Sequence, residues 1–324
     1  MILMSDLRVS SSQINATAPA KTKRSVIIKR MKDSWQLYLI ILPVVVYVFI
    51  FSYMPLYGIQ LAFRHFNPGI GIWGSPWVGF DNFTRFFNSI FFERIVVNTL
   101  ALNVYGLIAG FPFPIIIALM FNEIKNARTK KAVQTIVVAP HFIAMVVMVG
   151  MLNLFFSVGS GFVNNVIEAF GGEAIPFMTG RSYFRSMFVW SDVWQRSGWN
   201  SIIYIAALAG VDPELHEAAR IDGASKLKRI WHVNLPAIRP TIVILLILQF
   251  GSMMNVGFEK AFLMQNTQNI AVSEVIATYV FRVGITNADF SFATTVGLFN
   301  NIINVILLLI VNKICSRVSE TSLF

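Results

Sequence analysis

The sequence has a single cysteine in 324 residues, Cys315, which excludes an internal disulfide and a cysteine cluster for a metal. Charged residues are also scarce: they make up 13% of the chain, against about 25% in soluble domains. No glycine is followed by lysine, so the phosphate-binding loop of P-loop ATPases is absent. The sequence shows no nucleophilic triad, paired carboxylates or metal-ligand pattern, so it predicts no catalytic residues and no metal site.

Apolar residues are abundant instead. They make up 56% of the chain, and the mean hydropathy is +0.65. A soluble fold could not bury this much apolar surface, and a helix needs about 20 apolar residues to cross the hydrocarbon layer of a membrane. We therefore predict an all-α integral membrane protein with six transmembrane helices, over residues 37–62, 95–121, 132–156, 185–209, 237–258 and 289–312.

The basic residues predict how these spans are oriented. Most of the 26 lysines and arginines lie on one side of the spans, while the acidic residues divide evenly. By the positive-inside rule that side is cytoplasmic, and this topology explains the net charge of +10 without nucleic-acid binding. The chain then comprises a cytoplasmic basic tail over 1–36 with an interfacial helix near Ile27–Trp35, a six-helix domain over 37–312 with a cytoplasmic loop at 210–239, and a cytoplasmic tail over 313–324.

The loop at 210–239 carries start and stop signals for two short helices. Asp212-Pro213 favours a helix start, because Asp caps well and Pro suits the first helical position. Gly223 can take the left-handed conformation that ends the first helix. Ser225 can cap the second helix, which we expect to end at Leu235-Pro236.

A patch of small residues lies on the first of these helices. Ala218 and Ala219 leave a low surface that a partner could approach closely, and Glu217 beside them could bond to a basic residue of that partner. An ordinary solvated amphipathic hairpin is the alternative on spacing alone.

This loop resembles the EAA loop of permease subunits in binding-protein-dependent ABC importers. The residues at the family's spacing are Glu217, Ala218, Ala219, Asp222, Gly223, Leu235 and Pro236, while Val233 stands where the family usually has Ile. Further segments resemble the oligosaccharide branch of this family, which includes the alginate importer: 54–63, 77–83, 122–124, 134–135, 140–142 and 198–204.

The resemblance implies the type I ABC importer permease architecture in a bacterial cytoplasmic membrane. In that family each permease is half of a pair, grips one ATPase through its EAA loop, and receives substrate from a soluble binding protein. The expected partners are therefore a second permease, two ATPase subunits and a binding protein. The chain itself needs no cofactor, since ATP and Mg²⁺ belong to the ATPases.

The fourth span carries polar residues at mid-membrane depth. Three polar or aromatic residues follow Asp192 at three, four and seven positions, namely Gln195, Arg196 and Trp199. This spacing predicts that all four lie on one helix face. Ionisable groups at this depth face an interior or a water-filled path. The face is either a saccharide path in which Arg196 meets a carboxylate, or a structural Asp192–Arg196 pair. The sequence favours neither reading over the other.

Two further sets of residues are candidates for the path. Ser252, Asn255 and Glu259 are expected to share a face of the fifth span, and Gly297, Asn301 and Asn304 a face of the last. Small and polar residues also mediate helix packing in membranes, and this is the favoured interpretation for both sets.

The sequence thus predicts a permease that transports oligosaccharides, acidic ones if Arg196 meets a carboxylate. The alternative is an ion-coupled secondary sugar transporter, although no repeat relates the two halves as inverted-repeat transporters require. A membrane enzyme or scaffold is a third alternative, but no catalytic constellation supports it.

Overall fold

This computed structural model describes residues 34–319, with side chains described as far as Arg317. Most of the interfacial helix expected near Ile27–Trp35 therefore lies outside the described residues. Two compact units divide the chain, Met1–Gly58 and Ile59–Phe324. Within residues 34–319 the structure is helical, without a β-strand, which agrees with the all-α prediction.

The α-helices are numbered here in chain order. They are α1 (Trp35–Val48), α2 (Gly71–Gly74), α3 (Asp81–Phe87), α4 (Phe92–Gly110), α5 (Pro112–Asn122), α6 (Ala127–Val138), α7 (Met145–Phe155), α8 (Phe162–Ala169), α9 (Arg181–Ala209), α10 (Pro213–Ile221), α11 (Lys226–Arg229), α12 (Leu235–Gly251), α13 (Phe258–Met264), α14 (Ile270–Ser273), α15 (Ile276–Phe281) and α16 (Phe290–Ser319).

Every predicted span contains helical structure, although not every one is a straight apolar helix over its whole predicted length. Four helices among the described residues are long and apolar enough to cross a membrane: Trp35–Phe63, Phe92–Asn122, Lys226–Gly251 and Phe290–Arg317. The pair Ala127–Phe142 and Met145–Phe155, bent by 95°, makes five if it is one span. The predicted fourth span, α9, is a 29-residue helix too polar to count by composition. The count of six spans thus stays a prediction.

Helix α9 is the central element of the second unit and packs against α4, α5 and α12. It also approaches α6 so closely that a Cβ atom on Gly198 would lie 2.1 Å from the carbonyl oxygen of Val137. Only glycine allows backbones to come this near, so this residue fixes the crossing of α9 over α6.

Two sequence-based boundaries in the fifth span are wrong. The helix does not end at Leu235-Pro236, because α11 continues through a π-type turn at Ile230–Asn234 into α12. This wider turn directly precedes the proline, whose missing N–H and ring would otherwise disturb a regular helix.

The span then ends early, at Gly251. The segment 252–257 is not helical, so Ser252, Asn255 and Glu259 do not share a helix face as predicted. Asparagine side chains replace the missing helical partners: Met254 N–H donates to Asn304 Oδ1 (2.8 Å), and Asn255 Oδ1 accepts from Asn304 Nδ2 (3.2 Å).

Candidate functional site

A cavity of about 480 Å³ lies beside α9 at the level of the non-helical segment 252–257. Helices α4, α5, α9, α12 and α13 line it. Its polar and charged lining residues are Asn103, Asp192, Arg196, Ser197, Asn200, Tyr204, Gln249, Ser252, Asn255 and Lys260.

One carboxylate and two cations meet in this cavity. Asp192 Oδ1 lies 3.1 Å from Arg196 Nε and 3.4 Å from Lys260 Nζ. The Lys260 ammonium also donates to the Phe188 carbonyl oxygen (2.7 Å) and lies 4.7 Å from the centre of that phenyl ring. The charged residues lining the cavity therefore leave one positive charge in excess.

The two readings of the Asp192–Arg196 pair are compatible. The side chains form an ion pair one turn apart on α9, as the structural reading expects. Both also line the cavity and remain partly exposed, at 37% for Asp192 and 48% for Arg196. A solute in the cavity can thus reach the guanidinium without first unfolding its surroundings.

The other two members of the predicted face lie elsewhere. Gln195 is buried and donates from Nε2 to the carbonyl oxygen of Ile143 (2.8 Å), in the bend between α6 and α7. Trp199 stacks on His141 in the same bend, with ring centres 4.4 Å apart. The four-residue face spans about 100° of the helix, which is wide enough to contact two different neighbours.

Lys260 is a charged residue of the cavity that the sequence did not reveal. It lies 68 positions from Asp192, in a segment predicted to be an outer loop. The adjacent Glu259, chosen from the sequence, is exposed and does not line the cavity. The usable signal was a lysine among Phe258, Ala261 and Phe262, since a cation held among apolar side chains needs a partner once it is buried.

The candidates on α16 serve packing more than the cavity. Asn304 is buried and holds the chain at residues 254 and 255 through the bonds described above. Asn300, which the sequence did not single out, donates to Asn255 Oδ1 (2.8 Å). Asn301 is exposed, and neither Asn301 nor Gly297 is among the cavity-lining residues. Of the residues predicted on the fifth span, Ser252 and Asn255 line the cavity.

The loop at 210–239 forms the predicted hairpin, whose helices α10 and α11 begin at the expected caps. Asp212 Oδ1 accepts from the Glu214 N–H (2.9 Å), with Pro213 at the first helical position. Ser225 Oγ accepts from the Lys228 N–H (3.4 Å). These bonds satisfy N–H groups that lack a partner within the helices.

Gly223 ends α10 in the left-handed conformation, with φ = 73°. The N–H of Ala224 donates to the carbonyl oxygen of Ala219 (2.9 Å), and the N–H of Gly223 donates to that of Arg220 (3.0 Å). This pair of bonds is a Schellman motif, which turns the chain sharply between α10 and α11.

The outer face of this hairpin has no partner within the described chain. Glu217, Ala218 and Asp222 are exposed, and neither carboxylate forms an ion pair with a described residue. Exposed apolar side chains lie around them: Leu215, Ile221, Leu227 and Trp231. One ion pair ties the base of the hairpin to the end of α5, between Arg229 and Glu123 (3.9 Å).

Comparisons with known proteins agree with this architecture. Residues 110–320 match the family described as binding-protein-dependent transport system inner membrane component. The chain is 42% identical to protein LplB of Bacillus subtilis (strain 168), covering 90% of this chain and 92% of LplB. It is 38% identical to the polygalacturonan/rhamnogalacturonan transport system permease protein YteP of the same organism, covering 99% and 100%.

The fold is also similar to that of a solved transporter. One crystal structure is of a bacterial ABC transporter involved in the import of the acidic polysaccharide alginate, and another shows the alginate transporter in complex with an alginate pentasaccharide-bound periplasmic protein. Each comparison gives a TM-score of 0.84 at 37% identity, over 91% of this chain and 99% of the other.

Proposed function

The chain belongs to the family of binding-protein-dependent transport system inner membrane components, and from that membership we propose that it forms part of the path for uronic-acid oligosaccharides through the membrane. It is a multi-pass membrane subunit of a sugar ABC importer and carries no ATPase site of its own.

The observation that carries the proposal is the excess positive charge in the cavity. Arg196 and Lys260 share one counter-ion, Asp192, so a carboxylate that enters can bond to the partly exposed Arg196 without leaving a cation unpaired. Charge-assisted bonds between guanidinium and carboxylate are among the stronger ones available to a protein. Neutral polar groups around the cavity suit sugar hydroxyls, among them Asn103, Asn200 and Gln249.

The relatives support the same class of substrate. The solved importer acts on alginate, an acidic polysaccharide, and YteP is named for polygalacturonan and rhamnogalacturonan. These three polymers contain uronic acids, whose carboxylates distinguish them from neutral sugars. The shared feature, together with the charge of the cavity, favours an acidic oligosaccharide over a neutral one.

In this proposal, the hairpin of α10 and α11 is the contact through which ATP hydrolysis drives transport. Its exposed Glu217 and small residues Ala218 and Ala219 dock on an ATPase subunit, which holds the ATP and Mg²⁺. The complete importer then contains a second permease, two ATPases and an extracytoplasmic binding protein. The ion-coupled alternative makes the opposite forecast, uptake by this chain alone under an ion gradient, and such uptake would refute the ATP-driven assignment.

The substrate proposal is tested by uptake through the assembled importer in vesicles. Arg196→Gln should lower the uptake of oligouronates by about tenfold or more, since hydrogen bonds to charged groups contribute about 1.5–3 kcal/mol. Lys260→Gln should also lower it, because it removes the excess positive charge of the cavity. Asn200→Ala is the control, because it changes the same cavity without changing its charge and should affect acidic and neutral oligosaccharides alike. Equal losses for both kinds of sugar in the Arg196 and Lys260 variants would contradict the proposal.

A further inference from the structure

The charged face of α9 continues beyond the cavity toward the outer end of the helix. Four charged residues of α9 follow each other at intervals of four, seven and four positions: Arg181, Arg185, Asp192 and Arg196. At about 100° per residue these positions fall within an arc of about 60°, and at 1.5 Å per residue the row is about 22 Å long. Two arginines thus extend the cavity-lining row outward, on the side assigned to the exterior by the charge distribution.

A matching row runs along α4. It consists of four residues at intervals of four positions: Arg94, Asn98, Leu102 and Gly106. Leu102 and Gly106 line the cavity. The two rows are joined where they leave the cavity, because Arg185 Nη2 donates to Asn98 Oδ1 (3.2 Å). The second members of both rows, Arg185 and Asn98, are therefore brought together outside the cavity.

A buried carboxylate, that of Glu274, pairs with two arginines next to this junction. The side chain of Glu274 is 1% exposed and forms ion pairs with Arg94 and with Arg282, the latter at 2.8 Å. Both guanidinium groups lie over the ring of Phe91, at 4.9 and 5.1 Å from its centre. We call Arg94, Arg185 and Arg282 the arginine collar; with Glu274 it carries two positive charges in excess.

The collar has donors that the described chain does not use. The Nε atoms of Arg94 and Arg185 are buried and have no hydrogen-bond partner among the described residues. Both carboxylate oxygens of Glu274 are already occupied by the two arginines that flank it. The collar thus combines excess positive charge with unsatisfied N–H groups, which is the chemistry that receives an anionic group.

An apolar layer separates the collar from the cavity cations. Leu102 on α4 and Phe184 and Phe188 on α9 are buried, and they pack in one cluster with Val256 and Val275. Phe188 lies between Arg185 and Asp192 along α9, and the Lys260 ammonium rests on its ring. Positive charge is therefore present at Arg185 before this apolar cluster and at Lys260 after it, with Phe188 between them.

We propose that the arginine collar is an outer binding site for substrate carboxylates, occupied before the apolar layer opens and the sugar reaches Arg196 and Lys260. The inference rests on the proposed function, because a neutral sugar would gain nothing from the collar. Two cationic sites in series let each carboxylate of an oligouronate exchange one arginine for the next, so that no step strips the charge of all its partners. The competing explanation is a structural clamp in which Glu274 merely holds α4 to the outer helices.

A substitution of Arg185 distinguishes the outer binding site from the structural clamp, because Arg185 belongs to the collar but does not pair with Glu274. The assembled importer, with its binding protein and ATPases in vesicles, is supplied with an oligogalacturonate or with its fully methyl-esterified, uncharged form. Arg185→Gln should raise the half-saturating concentration for the acid about fivefold to tenfold at low salt and leave that for the ester unchanged. The difference should shrink at high salt, which screens the attraction. Arg185→Lys keeps the charge and should retain most of the uptake.

Arg85→Gln is the matched control, since Arg85 is an outer arginine with a carboxylate partner, Asp289 at 2.7 Å, but lies on neither row. It should leave uptake of the acid unchanged. Arg181→Gln, one turn farther out on α9, should act in the same direction as Arg185→Gln with a smaller effect. It also serves as the test should the Arg185→Gln importer fail to assemble.

The outcomes that overturn the collar are distinct from those that overturn the cavity. A wild-type importer that does not favour the acid over the ester removes the proposed function and the collar with it. A wild type that favours the acid, combined with unchanged half-saturation in Arg185→Gln and Arg181→Gln, removes the collar alone. Equal losses on acid and ester, or a loss in Arg185→Lys as large as in Arg185→Gln, would assign these arginines to the structural clamp.

Discussion

In the hairpin of α10 and α11, the carboxylates of Glu217 and Asp222 face outward and pair with no described residue. In the cavity, Asp192 is shared by two cations. The hairpin owes its shape to local bonds, namely two caps and the Schellman motif. The cavity depends on contacts between residues far apart in sequence.

This contrast separates two ways in which a substitution can act. A change of an exposed hairpin side chain that makes no internal bond, such as Glu217, should remove function without lowering stability. A change in the cavity leaves a charge without its partner, so it should lower stability and function together.

Gly223→Val should abolish the ATP hydrolysis that loaded binding protein stimulates. A β-branched residue at φ = 73° is strained by about 1–3 kcal/mol, which distorts the turn that orients α10 against α11. The measurement is ATP hydrolysis by the purified importer. Gly210→Val is the control, because Gly210 has φ = −85° and its added Cβ would make only an ordinary contact of 3.5 Å. Normal stimulated hydrolysis in Gly223→Val would show that this turn does not transmit the signal.

Glu217→Lys should remove most of the stimulated hydrolysis while the melting temperature of the permease stays unchanged. The substitution reverses a charge on an exposed surface and breaks no bond within the described chain. Hydrolysis and thermal unfolding are measured on the same preparation. Glu168→Lys makes the same change at an exposed site on α8 and should preserve both. A clear drop in melting temperature for Glu217→Lys would place this residue in the fold and not at a contact.

Asp192→Asn should lower the stability of the permease by about 2 kcal/mol, less than the removal of a partner from a fully buried pair costs, because this side chain is 37% exposed. The cause is Lys260, whose buried ammonium loses its counter-ion. Thermal unfolding in detergent gives the measurement. The double variant Asp192→Asn with Lys260→Met keeps one positive charge in excess, at Arg196, and should recover most of the stability together with uptake of oligouronates. If the double variant is no more stable than the single one, the pair is not what holds this region.

Asp212→Ala should cost about 1 kcal/mol, confined to the hairpin, because it removes the cap of α10. Ser225→Ala should cost less, since its bond to Lys228 is long at 3.4 Å. Hydrogen exchange of the backbone amides in α10 and α11 measures both effects locally. If the amides of α10 and α11 exchange as slowly in both variants as in the wild type, packing and not capping orders the hairpin.

The hairpin could be predicted from the sequence because its signals are local. Asp212, Gly223 and Ser225 each act within three or four residues, and each of them occupies the predicted position. The predicted end at Leu235-Pro236 was wrong because a π-type turn at Ile230–Asn234 carries the helix on through the proline.

The cavity could be predicted only in part. The spacing of Asp192 and Arg196 placed both on one face, but it did not say which neighbour that face meets. Gln195 and Trp199 contact the bend between α6 and α7 instead. The approach of Lys260 is decided by packing across 68 residues, and no periodicity within either segment encodes it.

Helix α9 runs without interruption from Arg181 to Ala209, a length of about 44 Å. The arginine collar lies at one end, the cavity ion pair near the middle, and the hairpin begins three residues beyond the other end. Gly198 lets α9 approach the backbone of α6 closely, so we expect α9 to move as one rigid rod. In the proposed importer, a tilt of the hairpin would then shift Asp192 and Arg196 directly, because all three belong to one continuous stretch of chain around α9.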